Sequence, residues 1–181
     1  MYQVTYPTSD ITKRHIVNYD KLREFDPKSP LRYFAFPQKG TTIFFLKNAT
    51  VESEGNHITI SKSDEENLKV VFLGKYTQPL IFTYLDFVPE VAINFKETGI
   101  NYFFLNSWRK NELFTVFDGA LIDLDAEKLF SSDDIILGNY LESYFNNRYA
   151  SLKISAIEKA VILINDDSKQ TVAAIAEQVF L

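Results

Sequence analysis

The chain has 181 residues, 46% of them hydrophobic and 24% charged, proportions that suit a globular protein with a real buried core. A formal net charge of −5 excludes a broadly basic, phosphate-neutralising surface. With no cysteine, disulfides, zinc–thiolate sites and a cysteine nucleophile are excluded as well.

At the N-terminus, MYQVTYPTSDITKRH lacks the apolar stretch of a signal peptide and reads as a polar opening with a helical turn at Ser9–Lys13. No apolar run reaches the ~18 residues of a membrane span, so a soluble, cytoplasmic protein without membrane contact is expected. HIVNYDKLREF alternates irregularly, as a strand can, and DPKSP punctuates it as a turn. LRYFAF and TTIFFLKN are short aromatic and β-branched runs parted by the turn PQKG. TVESE and HITISKS flank a turn at Gly55 and Asn56, and LKVVFLGKY, QPLIFTYLDF and PEVAINFK continue the pattern. Strands this close leave little room for crossover helices, which favours antiparallel pairing. Residues 14–96 therefore read as a small antiparallel sheet or barrel.

Helical signals follow. Ile100–Leu105 has the makings of a short helix. Ser131 or Ser132 can cap a longer one, with Asp133 and Asp134 at its positive end and Leu137, Leu141, Tyr144 and Phe145 at helical spacing. Those residues pack on their own sheet or, as the second reading, Leu137, Leu141 and Tyr144 pair across a dimer axis. Ser155 and Glu158 have capping-box spacing, and Ile154, Ile157, Val161 and Ile164 share a face. NDDSKQ ends that helix, and Thr171 caps another bearing Val172, Ile175, Ala176 and Val179. The fold class is thus α+β: an antiparallel sheet or barrel followed by a C-terminal set of helices.

Catalytic signatures are scarce. The two histidines, His15 and His57, are far apart in sequence and read as surface or strand residues, and no HxH, Gly-rich phosphate loop, G-x-S-x-G or H-E-x-x-H occurs. The acidic runs Asp64–Glu66, Asp133–Asp134 and Asp166–Asp167 read as a solvated loop, a helix start and a helix end or linker. No enzyme, metal site or cofactor is expected. The 16 Phe, 10 Tyr and one Trp fill a core first, but also permit a ligand pocket. Phe44, Tyr84, Phe87 and Phe95 are the candidates to line one. Trp108 is expected at a sheet–helix junction or on a dimer surface.

The segment SAIEKAVILINDDSKQTVAAIAEQVFL resembles the opening of the AraC/XylS-type DNA-binding domain, a scaffold helix followed by the first helix of a helix-turn-helix. Thr171, Val172, Ile175 and Ala176 stand at its cap and packing positions, the small Ala176 suiting a close helix crossing. Phe180 departs from the small or turn-forming residue usual there. VVFLGKYTQPLIFTYLDFVPEVAINFKETGINYFF is similar to part of a domain found ahead of some such regions, with Gly74, Thr77, Pro79, Phe95, Lys96 and Gly99 in order. The turn and apolar strand of FPQKGTTIFFLKN are similar to a stretch near that domain's start.

The resemblance implies a transcription regulator: residues 1–105 a β-rich sensing or dimerisation domain, often a cupin-like barrel; residues 106–150 a helical connector; residues 151–181 the incomplete start of a helix-turn-helix domain. A homodimer and a small-molecule effector are the partners it implies. DNA contact would fall to residues beyond 181, since Lys153, Lys159 and Lys169 are outweighed by Glu158, Asp166, Asp167 and Glu177. The alternative is a stand-alone ligand-binding or protein-interaction module without DNA binding.

Overall fold

A computed structural model describes residues 2–24, 30–74, 76–104, 114–119 and 123–149. These belong to one unit, Met1–Tyr149. Trp108 and all of residues 150–181, including Thr171, Val172, Ile175 and Ala176, lie outside the described residues.

The organising element is a sheet whose central strands have no solvent face. Strand β4 (Thr41–Lys47) reads TTIFFLK and is buried along six of its seven residues. Ile43 and Phe45 enter one apolar layer while Phe44 and Leu46 enter another, as the two-residue period of a strand requires. Its neighbour β7 (Leu68–Leu73) divides Val70 and Phe72 from Val71 and Leu73 in the same way. On the other side β9 (Glu90–Phe95) gives Val91, Ile93 and Phe95 to the first layer and Ala92 to the second. Strands β2 (Ile16–Leu22), β1 (Tyr2–Thr5) and β10 (Phe114–Asp118) complete the six-stranded order β1-β2-β9-β4-β7-β10. A register shift between Ile16 and Asn18 lets Ile16 and Tyr19 share the first layer, and it turns Asn18 and Asp20 toward the other.

The second layer is closed by a four-stranded sheet ordered β3 (Leu31–Ala35), β8 (Leu80–Tyr84), β6 (His57–Lys62) and β5 (Ala49–Glu54). Ile58, Ile60, Leu80, Phe82 and Tyr84 face Phe44, Leu46, Val71 and Leu73 across it. Pairing is antiparallel throughout both sheets except between β6 and β8, which run parallel from His57↔Ile81 to Ile60↔Tyr84. The chain passes from the large sheet to the small one at Asn48, whose φ of 55° is left-handed. Asn48 Oδ1 accepts from Asn67 N–H and Asn67 Oδ1 accepts from Ala49 N–H, so two asparagines brace each other at the corner.

The first layer is covered by helices. In α3 (Asp134–Arg148), Leu137, Leu141 and Phe145 are buried on the sheet, while Tyr144 is half-buried with its ring 5.2 Å from that of Phe145. The N-cap is Asp133, whose Oδ1 accepts from Ile135 N–H at 2.8 Å. Neither Ser131 nor Ser132, the two expected caps, fills that place, and Ser131 instead accepts from Asp133 N–H in the preceding turn. A 3-10 turn, Gly99–Tyr102, stands where a short helix around Ile100–Leu105 is expected. A Cβ at Gly99 would fall 2.1 Å from the His15 carbonyl oxygen, so this tight approach requires glycine. In the span expected as a helical connector, β10 adds an edge strand to β7, and α2 (Ala126–Leu129) precedes α3. Among the described residues no helix is long and apolar enough to cross a membrane.

One carboxylate ties α3 to the sheet and to the short helix α1 (Asp10–His15). Glu142 accepts hydrogen bonds from Thr8 and Ser9 N–H at 3.0 Å each, from the Thr12 hydroxyl at 2.7 Å and from the Tyr19 hydroxyl at 3.1 Å. Burial pushes its pKa up, but these donors outweigh burial and hold the carboxyl below its ordinary value. Glu142→Gln should therefore cost about 2–3 kcal/mol of unfolding free energy at pH 7, read by urea titration, since bonds to a charged acceptor are the stronger class. A depressed pKa stabilises above the unfolded value and is lost in acid, so the gap between wild type and variant should narrow as pH falls through the folded pKa.

A cavity between the two sheets

The inner faces of the sheets do not meet everywhere. A cavity of about 150 Å³ opens between them, walled on the large sheet by Tyr2, Asp20, Thr42, Phe44, Leu73, Ala92 and Asn94. Tyr33 and Ala35 of β3 wall it on the small sheet, and Gln38 and Tyr76 come from connecting segments. Strand registers explain the composition. Asp20, Ala92 and Phe44 form one cross-strand row, and Asn18, Asn94, Thr42 and Leu73 form the next. A polar row, Asn18, Asn94 and Thr42, thus runs beside the single carboxylate of the Asp20 row, and the small Ala92 and Ala35 leave the space.

The polar groups form a chain with one direction. Gln38 Nε2 donates to Thr42 Oγ1 at 2.9 Å, and the Thr42 hydroxyl donates to Asn94 Oδ1 at 2.7 Å. Asn94 Nδ2 then donates to Asp20 Oδ2 at 2.7 Å, while Asn18 Nδ2 donates to Asp20 Oδ1 at 2.8 Å. Every bond points toward the Asp20 carboxylate. Burial raises the pKa of Asp20, and the bond from Asn94 opposes that rise.

Beside it lies a second carboxyl. Glu90 is 1% exposed; the Tyr2 hydroxyl is 2.8 Å from its Oε1 and the Tyr84 hydroxyl donates to its Oε2. Tyr2 is also 3.1 Å from the Tyr33 hydroxyl. Tyr2 has one proton, so Tyr33 donates to Tyr2 when Tyr2 donates to Glu90. Burial, aided by the charge of Asp20, pushes Glu90 up to about 8 against the pull of the Tyr2 bond. Glu90 is consequently mostly protonated at neutral pH. Burial and the charge of Glu90 push Tyr2 and Tyr33 well above the ordinary phenol value, so both remain neutral hydroxyls.

The four aromatic candidates do not converge on this cavity. Phe44 lines it. Tyr84 belongs to the same layer but directs its hydroxyl to Glu90, and Phe87 packs against that layer from the β8–β9 loop. Phe95 lies on the opposite face, with ring centroids 5.8 Å from Phe145 and 6.0 Å from Phe103, because odd-numbered residues of β9 face the helices. The polar wall, Asp20, Asn94, Thr42, Gln38, Tyr2 and Tyr33, was not singled out from the sequence. Its signal is present in EVAINF, where Glu90, Ala92 and Asn94 share one face of a strand whose other face is wholly apolar. His15 stacks on Tyr102 at 3.9 Å, and His57 is exposed on β6. Among the described residues no three His, Asp or Glu side chains are grouped to hold a metal ion.

Comparison with protein-family models, with curated proteins and with solved structures returned no match.

Titration of Glu90 should be visible in stability. The native state holds a proton that the unfolded chain releases near 4.5, so this contribution is complete below that pH and is lost as pH rises toward about 8. Thermal midpoints from pH 5 to 8.5 should fall in the wild type relative to Glu90→Gln. The difference should approach, at most, about 1.4 kcal/mol per pH unit. Parallel curves would mean that Glu90 titrates like an exposed carboxyl.

Proposed function

We propose that the chain is the effector-sensing portion of an AraC-type transcription regulator, with the cavity between the sheets as its effector site. The observation that carries this reading is the cavity itself: about 150 Å³, with aromatic and apolar walls and a few oriented polar groups, the make-up of small-molecule sites. A space of that size suits a ligand on the order of one aromatic ring. The regulator part of the reading rests on the sequence resemblance, with Gly74, Thr77 and Pro79 in the β-rich region and Thr171, Val172, Ile175 and Ala176 near the C-terminus.

The layout supplies a route by which occupancy biases helix position. Asp20 faces the cavity, and the adjacent Tyr19 faces α3, where its hydroxyl meets Glu142. Gln3 of β1 bonds Asp134, and Arg23 pairs with the same carboxylate at 2.8 Å. A ligand that prefers one spacing of the sheets would favour one seat of α3, a population shift set by its differential affinity. In sequence, α3 leads directly into the segment that resembles the DNA-binding domain. The net −1 charge of residues 151–181 favours, as a second reading, a ligand-binding module that acts without DNA.

Two measurements test the proposal. A thermal-shift screen with compounds of roughly ten heavy atoms or fewer should find ligands that stabilise the wild type, by about 2.7 kcal/mol at a hundredfold excess over Kd, and not Ala35→Leu, which fills the cavity. If no compound separates the two proteins, the effector site is lost. A coding sequence continuing past Leu181 into a second helix-turn-helix with clustered Lys and Arg supports the regulator; a stop codon there leaves the stand-alone module.

A further inference from the structure

We propose that the cavity binds a small organic ammonium ion, a primary amine on a compact apolar or aromatic body, with its charge against Asp20. The inference rests on the effector-site reading and specifies its ligand class.

The cavity wall is one-sided in charge. It holds a carboxylate, and none of the described lining residues is Lys, Arg or His. Asp20 has no ion-pair partner among the described residues. The neighbouring bases, Lys21 of β2 and Arg23 just beyond it, are engaged instead with Asp134. Lys69 shares the inner face but sits four positions along β7 from the lining residue Leu73, in the row of Leu46 and Glu90. A half-buried carboxylate without a counter-charge has forfeited part of its hydration, and an entering cation restores what was lost. A carboxylate or phosphate ligand would meet like charge with nothing to neutralise it.

Hydrogen-bonding capacity points the same way. Gln38, Thr42, Asn94 and Asn18 turn donors along the wall toward Asp20. Each Asp20 oxygen accepts one side-chain hydrogen bond, from Asn18 or Asn94, whereas an ionised carboxylate has about four acceptor sites in all. What remains for a ligand at Asp20 is acceptor capacity, which an ammonium group with three donors fills. Phe44, Tyr33 and Tyr76 add ring surface, which attracts a cation through its π-faces and an apolar body through burial. The volume limits that body to roughly one ring or a short branched chain.

Isothermal titration of the full chain at pH 7 with benzylamine, benzyl alcohol and benzoate tests the assignment. The three share a body and differ in charge. Benzylamine should bind at least tenfold more tightly than benzyl alcohol, and benzoate should not bind. Asp20→Asn should weaken benzylamine tenfold or more while leaving benzyl alcohol unchanged, which also reports that the variant is folded. Equal affinity for amine and alcohol in the wild type overturns the ammonium assignment and keeps the cavity as a site for neutral ligands. That comparison does not depend on any variant folding. Heat from none of the three, with wild type and Ala35→Leu alike, overturns both the assignment and the effector site.

Discussion

The central strands of the six-stranded sheet are covered on both faces, and the rest of the molecule follows from that. A strand in such a sheet must be apolar on both sides, so Ile43–Leu46, Val70–Leu73 and Val91–Ile93 are continuous hydrophobic runs with no solvent side. One face then needs helices and the other a second sheet. Successive residues necessarily speak to different layers: Tyr19 to α3, Asp20 to the cavity. The bulge at Ile16–Asn18 fixes which residue does which.

Against this apolar background the polar groups of the inner face are costly. Thr42, Asn94 and Asp20 are kept by hydrogen bonds to one another and Glu90 by bonds with the Tyr2 and Tyr84 hydroxyls, not by ion pairs, and one carboxyl resolves part of the conflict by retaining its proton. A purely structural core would have no need of them. Local rules are broken where apolar side chains would pack at least as well, which is where function tends to reside in a consistent fold.

Much of the architecture was legible because it is written in short-range pattern. TTIFFLK and LKVVFL announce buried strands, Ser9 announces α1, and Leu137, Leu141 and Phe145 announce the buried face of α3. Elements defined by partners were harder to see. β1 and β10 are edge strands whose identity rests on pairing with Leu22 and Leu73, far away in sequence. The parallel β6–β8 pair inserts between strands that look like successive hairpins. The true cap of α3 is Asp133, one or two residues beyond the expected Ser132 or Ser131, a difference that both residue types permit. The cavity was the least legible feature. Aromatic content drew notice to Phe95, yet a strand covered on both faces gives no cue to which parity faces the cavity until the register is known. The polar residues of one parity in β9 and β2 carried the better signal.

The strand order also bears on how the chain reaches this state. β9 lies at the centre of the large sheet, between β2 and β4, yet it follows both in sequence, with the whole β5–β8 excursion in between. Until it docks, β2 and β4 have no shared partner, and the two-sided apolar run of β4 is left open along one edge. Such long-range closure makes for slow folding and for intermediates with exposed, unpaired edges that can pair with other chains. Yield on refolding should therefore depend on protein concentration far more than the finished molecule, with its central strands sealed, would suggest.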